Sequence, residues 1–92
     1  MRNAARTDAN QSLIVAALHK LGCQTYYIKL PCDLLISGGP LGEANLLAEI
    51  KMPGEQLNAG QREFWMRWPG RKCVLHNVSE AIQAVCGREM LK

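Results

Sequence analysis

The sequence predicts one α+β (α/β) domain with the element order α-β-β-β-α-β-α and a mixed sheet flanked by helices. Three observations lead there. Apolar residues recur at helical spacing near both ends of the chain, β-rich runs broken by Gly and Pro turns lie between residues 23 and 51, and a further strand, RKCVLH, stands between two helix-cap signals. At 92 residues the whole chain, 1–92, reads as a single domain. Such a chain buries roughly 60–65% of the surface its unfolded form exposes, so it needs neither metal nor disulfide scaffold to fold, and an ion it binds serves function.

Residues 8 to 21 read as the first helix, because Ile14, Ala17, Leu18 and Leu21 share one face and Gly22 supplies the stop. Asp8 and Gln11 resemble a capping box at its start, which leaves residues 1–7 as a flexible lead. CQTYYIKL is β-rich and ends at Pro31; DLLIS is a short apolar strand, and SGGPLG is a turn. EANLLAEIK returns from that turn as a third strand. After the MPGEQL loop, Asn58 and Gln61 cap a helix carrying Phe64, Trp65 and Trp68, closed by Pro69-Gly70. RKCVLH is the fourth strand. Asn77 and Glu80 cap a last helix whose Val78, Ala81, Ile82 and Val85 form one stripe, with Gly87 at its end.

Composition is that of an ordinary globular protein, 48% hydrophobic and 21% charged. The net charge of +3 leans toward polyanions, though only weakly. The longest apolar runs are too short to span a bilayer and MRNAARTDANQ lacks the apolar centre of a signal peptide, so the expected location is the cytosol, bacterial or of a phage-infected host. Cys23, Cys32, Cys73 and Cys86 contain no C-x-x-C pair, and neither His19 nor His76 stands at zinc-ligand spacing from them; they are read as reduced, small buried hydrophobes. His19 is read as a surface residue.

The chemistry concentrates in LLAEIKMPGEQLNAGQREFW. Period-2 alternation puts Leu47, Glu49 and Lys51 on one face of the third strand and Leu46, Ala48 and Ile50 on the other. If that strand pairs antiparallel with DLLIS about a midpoint at residue 41, Asp33 falls opposite Glu49. Two facing carboxylates repel and raise one pKa, a cost a divalent cation removes. Two carboxylates plus waters suit magnesium, and the Ile50 carbonyl at the same strand end is a third candidate ligand. Such a cation can lower the pKa of a bound water, and Lys51 can orient that water and neutralise charge on a phosphate. The Gln61 amide can reach the same place. Arg62, Arg67, Arg71 and Lys72 are candidate phosphate contacts, which Lys20 and Lys29 extend, although solvated cations are the commoner case. Trp65 and Trp68 at i, i+3 read as core or interface. No base-reading element is visible, so shape rather than sequence should govern any preference.

These residues also carry a resemblance. From DANQSLIVAALHKLGC through PCDLLI, LLAEIK, LNAGQREFWMRWPG and VSEAIQAV, the chain resembles small phage and bacterial stand-alone members of the virus-type replication-repair nuclease (VRR-Nuc) branch of the PD-(D/E)XK nucleases. An E-x-K alone is weak; an Asp, an E-x-K sixteen residues on and L-x-x-x-Q before an aromatic helix are more specific. The resemblance implies a restriction-endonuclease-like core and a magnesium-dependent endonuclease, with manganese as a substitute. It makes Asp33 and Glu49 metal ligands, Lys51 the catalytic lysine and Gln61 the motif glutamine. It also implies branched DNA as substrate, cut as by Holliday-junction resolvases, and a homodimer. Phe64, Trp65, Met66 and Trp68 exceed what one helix face can bury. Two departures stand out. The family's Pro-Asp pair appears as Pro31-Cys32-Asp33, and the position aligned with a first-helix carboxylate facing the metal is Leu13; Asp8 or Gln11 is the substitute. That second departure motivates the competing expectation, a catalytically silent DNA-binding or assembly module on the same fold. An RNA substrate is also compatible with these residues.

Overall fold

The computed structural model describes residues 2–90 and, among these, the side chains of residues 9–87. Its elements are α1 (Arg2–Lys20), β1 (Cys23–Tyr27), β2 (Leu34–Gly38), a short 3₁₀ turn (Gly39–Leu41), β3 (Asn45–Ile50), α2 (Ala59–Arg67), β4 (Lys72–Leu75) and α3 (Val78–Met90). This is the expected α+β order. The sheet runs β1-β2-β3-β4, antiparallel between β1 and β2 and between β2 and β3, parallel between β3 and β4. A parallel pair cannot be joined by a tight turn, so a crossover is required, and α2 supplies it.

The two faces of the sheet are covered unequally. On one, Ile14, Val15 and Leu18 of α1 and Ala81 and Val85 of α3 pack against Leu34, Ile36, Leu46, Ala48, Ile50 and Leu75. Each large aliphatic side chain buried there contributes about 1.5–3 kcal/mol. The other face carries Leu47 and Glu49, and Glu49 meets Gln61 of α2, a helix with no fully buried residue. Alternation along β3 thus falls as predicted, with the even positions in the main core. Cys23 and Cys32 are buried, while Cys73 and Cys86 are half-buried. Among the described residues no helix is long and apolar enough to cross a membrane.

Several boundaries differ from the sequence reading. The helix α1 begins at Arg2, so Asp8 lies inside it and not at its cap; a local cap signal yields where the helix can continue. The first strand stops at Tyr27: the Ile28 N–H still donates to the Asp33 carbonyl at 3.0 Å, but the chain then turns, with Lys29 at φ 70°. The last helix passes through Gly87 to Met90: glycine is a common stop, not an obligatory one. Asn77 and Glu80 do cap α3, the Asn77 Oδ1 accepting from the Glu80 N–H at 2.8 Å and Glu80 Oε1 from the His76 N–H at 2.8 Å.

The turn after β2 needs its glycine. Gly39 has φ 56°, and a Cβ there would sit 2.8 Å from the Leu21 carbonyl oxygen and 3.0 Å from the Cys23 nitrogen. Neither backbone atom can yield without moving the α1–β1 junction. Gly39→Ala is expected to cost about 2 kcal/mol or more, combining a left-handed alanine with the clash. A urea melt with unchanged m-value reads that loss.

Candidate active site

The carboxylate pair follows from loop length. The β2–β3 ladder pairs Leu34 with Ala48, Leu35 with Leu47, Ile36 with Leu46 and Ser37 with Asn45. One step further, Asp33 meets Glu49, the register predicted from a midpoint at residue 41. Asp33 is tied to both neighbours of Glu49: its N–H donates to the Ala48 carbonyl at 3.1 Å, and its Oδ2 accepts from the Ile50 N–H at 2.7 Å. A strand residue's N–H and C=O point to the same edge, so the Ile50 carbonyl also faces Asp33 past the end of β2. By the same alternation Lys51 bonds to β4, its N–H donating to the Leu75 carbonyl at 3.0 Å.

Glu49 is only 6% exposed. Burial first, and the Asp33 carboxylate second, push its pKa up to about 7; the nearby Lys51 charge offsets part of this. Gln61 joins it from α2, donating from Nε2 to Glu49 Oε2 at 2.7 Å. The same side chain also completes the helix cap. Its Oε1 accepts from the Asn58 N–H at 2.9 Å while Asn58 Oδ1 accepts from the Gln61 N–H at 2.9 Å. Capping and site contact are one arrangement here, because the cap holds the amide oxygen and leaves its NH₂ aimed at Glu49. Gln61→Glu should keep the cap acceptor and replace the donor with a third carboxylate. The expected loss is about 2 kcal/mol at pH 8, smaller at pH 5.5 where Glu49 is protonated, as thermal melts at the two pH values would read.

The donor set fits a hard divalent cation. Asp33 Oδ2 accepts from the Ile50 N–H and Glu49 Oε2 from Gln61, the two carboxyl groups lie within hydrogen-bonding reach of each other, and the Ile50 carbonyl adds a neutral oxygen. Among the described residues no cluster of three or more His, Cys, Asp or Glu gathers, so a tetrahedral zinc-type cage has no ligands here. Cys32, buried behind the pair, has its thiol pushed up to about 11 by burial, then by Glu49 and Asp33, which keeps it protonated.

A cavity of about 460 Å³ opens over the pair, lined by Asp33 and Glu49, by Lys29 to Pro31 from the β1–β2 hairpin, and by Gln61 and Phe64 from α2. Among the cations named from sequence, Lys29 is the one that lines it. The others are placed elsewhere or engaged. Arg62 donates to the Leu57 carbonyl at 2.9 Å, and Arg67 pairs with Glu63 at 3.2 Å on an exposed face. Lys72 donates to the Trp68 carbonyl at 2.7 Å and lies 5.8 Å from the Trp65 ring centroid. Arg71 flanks Leu46 and Ala84, and Lys20 borders an apolar groove between α1 and α3.

That groove also holds Leu13, 63% exposed, beside Val78 and Ile82. Leu13 therefore does not face the carboxylates, and its alignment with a metal-facing position is corrected. Of the two substitutes, Gln11 is half-buried in α1, and the Asp8 side chain lies outside the described side chains. The α1 residue that reaches the strand ends is Asn10, whose Nδ2 donates to the Lys51 carbonyl at 2.9 Å and the His76 carbonyl at 3.1 Å. Sequence reasoning missed it, although a signal existed: Asn10, Ile14 and Leu18 stand at i, i+4 and i+8 on one face, and a lone polar residue on an apolar stripe needs a buried partner.

No protein-family model and no curated protein matches the chain. A solved structure, a VRR_NUC domain, superposes with a TM-score of 0.69 at 13% identity, covering 86% of this chain and 92% of that one. The chain has the fold of that VRR_NUC domain.

Proposed function

We propose that the chain is a magnesium-dependent endonuclease that hydrolyses phosphodiester bonds in branched DNA, of the Holliday-junction type, as a homodimer. Manganese is expected to replace magnesium. The observation that carries this reading is the Asp33–Glu49 pair at the ends of β2 and β3, half-buried and buried, held in register by backbone hydrogen bonds and joined by Gln61. The Asp33 carboxylate satisfies the Ile50 N–H, but packing has no use for a second, buried carboxylate facing it, whereas phosphoryl transfer does.

A bound magnesium ion would lower the pKa of a water and stabilise charge on a phosphoryl oxygen. Asp33, Glu49 and the Ile50 carbonyl are the groups that would hold it. Gln61 fixes the Glu49 carboxylate through one oxygen, so the other presents a set direction. Lys51, the next residue on the Glu49 face, has an ammonium that can hold the attacking water and neutralise the phosphate as charge grows. The water oxygen bonds to phosphorus as the bond to the leaving sugar oxygen breaks, and the proton released ends on that oxygen. The net charge of +3 favours the approach of DNA, with Lys29 lining the cavity over the carboxylates and Arg62, Arg67, Arg71, Lys72 and Lys20 outside that lining.

The test is cleavage of labelled four-way junction, flap, splayed arm, duplex and single strand with magnesium, manganese or chelator, using wild type beside Asp33→Asn. Metal-dependent cutting of a branched form by wild type alone supports the reading. Tight junction binding without cutting in any metal would instead make the chain a silent binding module. Light scattering that finds a monomer at working concentration would remove the homodimer.

A further inference from the structure

The tip of the β1–β2 hairpin is built in a way that packing does not explain. The Ile28 N–H closes on the Asp33 carbonyl at 3.0 Å, and the four residues between them, Lys29 to Cys32, make the turn. Lys29 sits at φ 70°, among described residues the one non-glycine in the left-handed region, where a lysine side chain is strained. Next to it Leu30 is 82% exposed. A surface turn under no other demand would place Gly or Asn at the first position and a polar residue at the second. Here the strain and the exposed apolar side chain both stand on the cavity that contains Asp33 and Glu49.

The lining of that cavity is chemically divided. Its carboxylates suit a cation-bridged phosphate, Lys29 offers a second contact to the same anion, and Leu30, Pro31 and Phe64 are apolar surfaces contributed by two different elements. Phosphate on one side and flat apolar surface on the other is the division within a nucleotide. About 460 Å³ lies in the size range of small-molecule sites and far below what a duplex requires. Phe64 is held by its neighbours, 6.1 Å from the Trp65 ring centroid and 5.6 Å from that of Trp68, so its ring is a fixed wall.

We infer that this cavity takes a single unstacked nucleotide of the substrate, its phosphate over Asp33 and Glu49 beside Lys29 and its base between Leu30 and Phe64. The inference rests on the nuclease reading and deepens it. A nucleotide at a bulge or at the base of a flap is already unpaired, and one at the crossover of a four-way junction loses continuous stacking when the arms open, so each enters at less cost than one in a continuous duplex, which must first be unstacked. Selectivity for branched DNA then has a local origin within one protomer. Stacking on an aromatic ring is tolerant of base identity, which agrees with the lack of any base-reading element.

The test uses a duplex with one unpaired 2-aminopurine and its fully paired counterpart, titrated with the full chain carrying Lys51→Ala in magnesium at pH 8.5. The bulged DNA is expected to bind more tightly and to show a change in 2-aminopurine emission that the paired DNA lacks. Adding Leu30→Ala, which alters only an exposed side chain, should weaken bulge binding by about tenfold and leave paired-duplex binding unchanged. Lys29→Gly should raise the melting temperature by relieving the left-handed backbone, yet still weaken bulge binding. Equal affinity and emission for both DNAs, or a Leu30→Ala variant that binds the bulge like its parent, overturns the inference. Wild type that cuts paired and bulged duplex at equal rates overturns it too and leaves the nuclease reading intact, whereas failure to bind or cut any DNA overturns both.

Discussion

Glu49→Gln is expected to abolish metal-dependent cleavage and, in the same protein, to raise the stability of the metal-free fold at pH 8. Burial and the facing Asp33 carboxylate lift the Glu49 pKa from 4.5 to about 7. Between those values the folded state binds more protons than the unfolded chain, so stability falls as pH rises through the window. The penalty is absent below pH 4.5 and complete above 7, and amounts to something on the order of 3 kcal/mol. An isosteric amide removes the charge, still accepts from the Gln61 NH₂, and can donate to Asp33. A rise in melting temperature of roughly 5–10 °C at pH 8 is the expected reading, with a smaller one at pH 5. Cleavage should fall by at least about 100-fold, since groups that only support a metal ligand already cost about 10- to 100-fold. Magnesium should stabilise wild type at pH 8 more than at pH 5, because cation and proton compete for one carboxylate. It should do neither for the variant. A Glu49→Gln protein less stable than wild type at pH 8 would mean that the pair is structural.

That result would bear on a part of the site fully legible in the sequence. The Asp33–Glu49 juxtaposition needs only two strands and a turn centred on residue 41, and the observed ladder keeps that register. Period-2 logic works because one face of β3 is committed to the core through Leu46, Ala48 and Ile50. The choice between capping and chemistry at Gln61 was not legible, because an amide has an acceptor and a donor end and sequence shows only the residue. The structure gives each end its own partner. Positions that depend on helix rotation fared worst. Leu13 and Asn10 are three residues apart in α1, close to one turn, yet one meets an exposed groove and the other the strand ends. A single-residue error in alignment rotates a side chain by about 100°, enough to move the position expected to face the site from one flank of α1 to another. Leu13→Glu would thus add a charge to the α1–α3 groove and not a ligand to the site. The strained turn at Lys29 was invisible for another reason: backbone sign cannot be read from residue types when the residue is not glycine.

Lys51→Ala should separate chemistry from everything else the site does. Lys51 is half-buried at the end of β3, and its backbone makes the ladder bond to Leu75 and accepts from Asn10. None of these bonds involves the ammonium, so the fold should hold within about 0.5 kcal/mol, as for other partly exposed substitutions. The charge does act on Glu49, opposing the rise of its pKa. Its removal should therefore push Glu49 higher, making metal binding weaker at pH 7 and recoverable at pH 8.5, where the carboxylate is ionised regardless. Cleavage should not recover with it. If the ammonium holds the attacking water and meets charge only as it develops on the phosphate, the loss lies in the transition state, and roughly 100- to 1,000-fold should vanish from turnover at saturating magnesium. A metal titration followed by cleavage at pH 7 and 8.5 distinguishes the two effects. Activity restored to near wild type at pH 8.5 would reduce Lys51 to an electrostatic support for Glu49, while activity lost at both pH values with metal and DNA binding retained would place it at the reacting phosphate.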